Sequence, residues 1–280
     1  MTVANFPEIK EGQSIELLKE LHILTRDGKM NQDSRRKLKQ IYHLFQFIEP
    51  LLKDSVEKSE SLNLVDHGAG KSYLGFIIYD LFFKTLKIKK HIYGIETRPE
   101  LVTKSTELAS KLKFTEMSFL NVSVAESIDS KKIPETIDIV TALHACDTAT
   151  DDAIEFALAK KAKHIVLIPC CQAEVASYLR KNKSQLLANP LSELFRHPIH
   201  TREFGSHLTN VLRTLKLMAS GYDVTVTELI GFEHSMKNEL IIATKHNSKD
   251  KNHVVRSSHE RLQQLIEEFK LSDLNNRFTI

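Results

Sequence analysis

Glycine is scarce in this chain, at 9 of 280 residues, and cysteine is scarcer, at 3. An odd and small number of thiols excludes a disulfide-built scaffold and points to a reducing compartment. A cytoplasmic location is therefore expected. No apolar stretch is long enough to span a bilayer, so no membrane partner is expected. The opening residues, MTVANFPEIKEG, lack the basic start and apolar run of a secretory signal. There is no Cys-x-x-Cys pair, no internal repeat and no low-complexity tract. Hydrophobic residues make up 41% and charged residues 27%, which allows a core and excludes disorder of the whole chain.

What glycine there is gathers in one place. Gly68, Gly70 and Gly75 fall within eight positions. A glycine-poor chain that spends three there needs an unusual backbone at that point. Positive charge is gathered too, although the net charge is only +3. Segment 22–43 holds six basic residues against two acidic, segment 179–216 seven against two, and segment 245–261 five against two. Such clusters fit a polyanionic partner, or simply solvated faces.

Residues 1–60 read as helical: Leu38, Ile41, Tyr42, Phe45, Ile48 and Leu52 recur at helix spacing, with Pro50 near the end of the run. Ile15, Leu18, Leu21 and Leu24 suggest an earlier helix. From about residue 62 short apolar runs alternate with helical stretches. Strands are predicted at 62–66, 91–95, 117–120, 137–143, 164–168, 224–230 and 239–243. Helices separate the first five, which implies βαβ units and a parallel sheet. The last two are joined by the short Gly231–Asn238 connection, which permits only an antiparallel pair. The expected architecture is α/β, a seven-stranded, mostly parallel sheet with a reversed final hairpin. We expect a helical segment over 1–60, the sheet domain over 61–246 and a helical tail over 247–280, where Leu262, Leu265, Ile266 and Phe269 form an amphipathic stripe.

The first strand runs into Asp66-His67-Gly68-Ala69-Gly70-Lys71-Ser72, and the second ends on Glu96, 26 residues past Gly70. Glycines between a strand and a helix let a ligand approach the backbone, and an acid at the next strand end accepts ribose hydroxyls. Gly-Lys-Ser suggests a P-loop, but that motif needs glycine at 65, where Val65 stands. A dinucleotide loop calls for glycine at 73, where Tyr73 stands. An S-adenosylmethionine site, Asp-x-Gly-x-Gly followed by an acid, fits Asp66, Gly68, Gly70 and Glu96 without a gap. The reversed hairpin favours the same reading: it belongs to the Rossmann-like class I methyltransferase architecture.

Three further pieces carry a family resemblance. Leu143-His144-Ala145-Cys146-Asp147-Thr148-Ala149-Thr150-Asp151-Asp152-Ala153 follows the fourth strand, Pro169-Cys170-Cys171-Gln172 the fifth, and Glu233-His234-Ser235-Met236-Lys237-Asn238 lies in the last hairpin. Over roughly residues 35–245 the chain resembles a family of class I methyltransferases with bacterial members and eukaryotic methyltransferase-like proteins, distantly similar to tRNA 2′-O-methyltransferases. It departs from that pattern at Ser72, where a third glycine is usual, and at Ser235-Met236, where Thr-Pro is common. The resemblance implies S-adenosylmethionine as cofactor and RNA as acceptor.

The residues then take roles. Asp66, Gly68, Gly70 and Glu96 hold the cofactor, and Asn121 after the third strand lies beside the adenine. His144 is the candidate general base where the acceptor is a hydroxyl or cation. Cys170 and Cys171 line the acceptor pocket, or else pack the strand end as small buried residues. Neighbouring cysteines cannot readily both face one ion, so no obligate metal is expected. Asp151 and Asp152 are read as charging the start of the helix there. Arg35, Arg36, Lys237 and Asn238 are the candidate substrate contacts. A protein methyltransferase and a non-catalytic cofactor-binding module are the rival readings.

Overall fold

The structure, a computed structural model, describes residues 7–143, 145, 147–169, 172–182, 190–229, 239–246 and 251–279. Their sheet contains β1 (Ser61–His67), β2 (Lys89–Glu96), β3 (Met117–Asn121), β4 (Ile139–Leu143), β5 (His164–Ile168), β6 (Tyr222–Glu228) and β7 (Glu239–Lys245). The order across it is β3-β2-β1-β4-β5-β7-β6. The first five strands are parallel, and β7 lies antiparallel to both β5 and β6. This is the class I methyltransferase arrangement. The order reverses at β1, whose neighbours β2 and β4 lie on opposite sides, so the carboxyl ends of these strands open a crevice where ligands bind in open α/β sheets.

Burial explains the strand composition. All five residues of β5 are buried, as expected for a parallel strand covered on both faces. The predicted fourth strand starts two residues late, because the Ile137 amide donates to the Lys160 carbonyl at the end of a helix. Ile230, predicted as the end of β6, lies outside the described residues.

Helices α1 (Ile15–Glu20) and α2 (Gln32–Glu57) precede β1, and α3 (Tyr73–Leu81) and α4 (Pro99–Leu112) connect β1 to β2 and β2 to β3. Leu17, Leu38, Phe45 and Phe76 from three of them share one core with Leu64, Ile92 and Ile139 of the sheet. Asn31 caps α2 by accepting from the Ser34 amide at 2.8 Å. Pro50 does not end this helix. It sits inside it, exposed, while Leu52 and Ser55 beyond it are buried, so packing outweighs the missing amide. On the opposite face lie α5 (Val124–Asp129) and α6 (Thr148–Ala159), with Ile154 and Phe156 against Val140 and Leu167. A third cluster joins α7 (Glu174–Lys181), α8 (Pro198–Ala219) and α9 (Asn252–Glu268). The approach of α7 to α8 depends on Gly205, where a Cβ would lie 2.7 Å from the Cα of Ala176.

Candidate active site

At the carboxyl end of β1 the chain turns through Gly68 and Gly70, with φ of +65° and +57°. Both are left-handed, the conformation that explains the concentration of glycine. Asp66 does not face the crevice. It is buried beneath the loop, accepting from Thr141 Oγ1 at 2.9 Å and Ser72 Oγ at 3.1 Å. Burial pushes its carboxyl up to about 6, against the pull of Thr141, Ser72 and the Gly75 amide. Asp66 therefore braces the loop from below. Ser72, which replaces the expected third glycine, itself adopts a left-handed conformation (φ 48°) and supplies one of those bonds.

Glu96 ends β2 and is 6% exposed. Its Oε2 accepts the Gly70 amide at 2.8 Å, which fastens the acid to the glycine loop. Glu96 also accepts from Arg98, through the amide at 3.0 Å, Nε at 3.0 Å and Nη2 at 3.0 Å, and from Thr97 Oγ1 at 3.4 Å. Burial works against the charge, but the Arg98 guanidinium and amide and the Gly70 amide outweigh it and hold Glu96 down at about 2. Asn121 at the end of β3 donates Nδ2 to the Glu96 carbonyl at 3.0 Å. Asp66, Gly68, Gly70, Glu96 and Asn121 thus meet at the ends of three adjacent strands.

His67, which the loop pattern does not single out, lies between Asp66 and Gly68. It is buried beside Phe156, ring centroids 5.6 Å apart, and neither ring nitrogen has a hydrogen-bond partner. Burial holds the ring neutral with a pKa down at about 4, although the Glu96 charge opposes this. Nor does anything in the pattern mark Arg98, since cationic residues next to strand ends are common on any surface.

These groups suit an adenosine-bearing cofactor. A left-handed loop exposes backbone at a helix entrance, a carboxylate that stays ionised stands beside it, and orphaned ring nitrogens lie under the loop. A Cβ at Gly68 would lie 3.6 Å from that of Ala145, so a side chain there would fill the space between the β1 and β4 loops. Among the described residues the Arg98 guanidinium stands at this acid, and its side chain is 59% exposed.

On the acceptor side, His144, Cys170, Cys171, Lys237 and Asn238 lie outside the described residues, as does Cys146. Their neighbours are informative. Asp151 lies in the first turn of α6, where an acid is expected, and has a second role. It is buried and makes a bidentate pair with Arg213 of α8, Nε to Oδ1 at 2.8 Å and Nη2 to Oδ2 at 2.7 Å. A buried carboxylate needs a cation more than a helix end needs an anion. Asp152 lies 3.5 Å from Arg277.

The basic segments also resolve. Arg213 and Lys216 of segment 179–216 are buried, Lys216 against Glu155, so neither reaches a polyanion. Lys181, Arg196 and Arg202 are paired with Asp273, Glu193 and Glu203. In segment 22–43, Arg35 pairs with Glu8 at 3.1 Å, while Arg26, Lys29, Arg36, Lys37 and Lys39 are exposed. Among the described residues no helix is long and apolar enough to cross a membrane, and no group of three or more His, Cys, Asp or Glu is placed to hold a metal.

A family described as methyltransferase domain matches residues 36–178, more than half of the chain. The chain belongs to that family and is an S-adenosylmethionine-dependent methyltransferase. No curated protein sequence matches it. Solved structures with low similarity include magnesium protoporphyrin IX methyltransferase from Synechocystis PCC 6803 with bound SAH, at 12% identity, 82% of this chain, 93% of that one and a TM-score of 0.43. An rRNA methylase from Streptococcus thermophilus is 9% identical over 67% of this chain and 88% of its own, with a TM-score of 0.40. The Methanococcus jannaschii fibrillarin pre-rRNA processing protein is 11% identical over 68% and 69%, with a TM-score of 0.41.

Proposed function

We propose that this methyltransferase modifies RNA, and that the start of α2 holds the phosphate backbone over the crevice. The observation that carries the reading is the exposed cluster Arg26, Lys29, Arg36, Lys37 and Lys39. The far end of α2 is fixed at the opposite edge of the sheet, where Asp54 bonds Lys163 at 2.8 Å and His164 at 3.1 Å, at the start of β5. A helix of 26 residues is about 39 Å long. A strand of seven residues spans about 23 Å. Helix α2 is therefore longer than the strands, which supports a reading in which its basic first turns lie near their carboxyl ends.

When bound, S-adenosylmethionine supplies an electrophilic methyl group. The chain's part is positional. Glu96 accepts the ribose hydroxyls once Arg98 withdraws, and the Gly68–Gly70 loop admits the ligand to the backbone. Holding donor and acceptor in near-attack geometry accounts for much of the rate in such reactions. In this reading His144 takes the acceptor proton where the acceptor is a hydroxyl, Cys170 and Cys171 flank it, and Lys237 and Asn238 contact the substrate.

Tritiated methyl transfer into total RNA against total protein tests the substrate. We expect label in RNA; label in protein alone replaces this reading with a protein methyltransferase. Replacing Arg35, Arg36 and Lys37 with Ala should weaken RNA binding and flatten the log–log salt dependence by about two, since each phosphate contact adds about 0.7 to 0.9 to that slope. Cofactor binding should not change.

A further inference from the structure

Asp147 has a backbone that side chains rarely tolerate, with φ 50° and ψ −122°. It stands just after the end of β4, in the loop that carries His144 and Cys146. Strain of this kind persists only where surrounding contacts over-determine it, and it gathers at functional sites. Here the contacts are explicit. The Asp147 carbonyl accepts from Arg213 Nη2 at 2.7 Å. Its carboxylate does not cap its own helix; Oδ1 accepts the amides of Ala173 at 3.1 Å and Glu174 at 3.3 Å, at the start of α7. One residue thus ties the loop after β4 to the loop after β5, which carries Cys170 and Cys171.

Arg213 closes the arrangement. Besides Asp151 and the Asp147 carbonyl, its Nη1 donates to Asn210 Oδ1 at 3.2 Å. The same Asn210 oxygen accepts from Gln172 Nε2 at 3.0 Å, and Gln172 Oε1 accepts from Ser206 at 2.8 Å. Asn210 Nδ2 reaches Glu239 at 2.8 Å, the first residue after the hairpin segment with Lys237 and Asn238. Arg213, Asn210, Asp151 and Gln172 are all buried. The loop after β4, the loop after β5 and the first residue of β7 all border this network.

We propose that Asp147 and Arg213 are positioning residues of methyl transfer: they lock the loops after β4 and β5 into one body that presents the acceptor to the methyl group. The inference rests on the methyltransferase assignment and on placing the acceptor over these loops, and it holds for RNA or protein alike. Neither residue touches the reacting atoms.

Asp147→Gly separates this role from a structural one. Glycine is at ease in this conformation, so relief of strain offsets the lost clamp and the fold survives. We expect S-adenosylhomocysteine affinity within twofold of wild type, turnover down about 100-fold in whichever macromolecular pool the wild type labels, and faster amide exchange at Ala173 and Glu174. Asp147→Asn keeps the acceptor oxygen and suits a left-handed backbone, and should restore most of the turnover. Turnover within twofold of wild type in Asp147→Gly overturns the proposal. So does unchanged exchange at Ala173 and Glu174, a readout that needs no substrate; if Asp147→Gly proves too unstable, Arg213→Lys is measured the same way. Label in protein rather than RNA defeats the RNA reading and leaves this one standing.

Discussion

Two arginines each hold a carboxylate through two parallel bonds, one at each end of the crevice. Arg98 meets Glu96 two residues away, with 59% of its side chain exposed. Arg213 meets Asp151 across 62 residues, with none of its side chain exposed. The pairing chemistry is the same and the physics is not. Near water a guanidinium and a carboxylate separate at little cost, so in the proposed reading the Arg98 pair acts as a latch over the cofactor. In the interior neither charge can turn to water, so the Arg213 pair is a fixture. One pair can open toward solvent, whereas the other is held in the interior.

The sharpest way to break that contrast is to remove each arginine. Arg213→Met leaves Asp151 buried and uncompensated, which costs about 3 to 5 kcal/mol. Denaturant unfolding should show the loss; a loss below about 1 kcal/mol would make the two arginines equivalent. A second test concerns the base of the cofactor loop. Asp66, up at about 6 in the fold against an ordinary 3.8, keeps a proton that the unfolded chain releases. Its contribution to stability is complete below about pH 4 and is lost as pH rises through 6. His67, down at about 4 against 6.5, works the other way, its contribution present above 6.5 and lost as pH falls. The wild type therefore shows a muted pH response. Asp66→Asn removes the first contribution, so relative to wild type it should gain up to about 3 kcal/mol between pH 4 and pH 7. Unfolding at both pH values checks this, and a constant difference refutes it.

The smallest effects belong to the latch. Glu96→Ala should weaken S-adenosylhomocysteine by about 2 kcal/mol, roughly 30-fold, because hydrogen bonds to a charged acceptor are lost. Arg98→Ala should tighten it a few-fold, since the ribose no longer displaces a guanidinium, with stability changed by less than about 1 kcal/mol. Titration calorimetry distinguishes the signs. Weaker binding in Arg98→Ala would make that side chain a ligand contact and not a latch.

The same contrast separates what was legible in the sequence from what was not. Strand and helix periodicity placed all seven strands and the reversed hairpin. The meeting of the Gly68–Gly70 loop with Glu96 was legible because its parts are local: two glycines after one strand, an acid after the next. Arg98 and His67 escaped that reading because their significance lies in geometry within the loop, not in spacing. The acceptor network escaped entirely. Gln172 and Asn210 are 38 residues apart, Asn210 and Glu239 29, and no periodicity relates them. Asp151 is the helix-start acid it looked like, but its pairing with Arg213 was illegible because that partner stands far along the chain. Arg213 and Lys216 inflated a basic cluster that burial then removed.

The place of β7 between β5 and β6 has a consequence for how the chain comes off the ribosome. The first five strands are complete by residue 168, and each is laid beside a neighbour already made. Strand β6 breaks that sequence. It is synthesised by residue 228, yet its neighbour in the sheet is a strand that begins only at residue 239. Until then β5 and β6 both present open backbone edges, the state most prone to mispairing between nascent chains. A product halted between these points carries every cofactor-loop residue and still has an unsealed sheet. The region matching the methyltransferase family ends earlier, at residue 178, before β6 and β7. Arrival of β7 is the step that commits the polypeptide to its finished form.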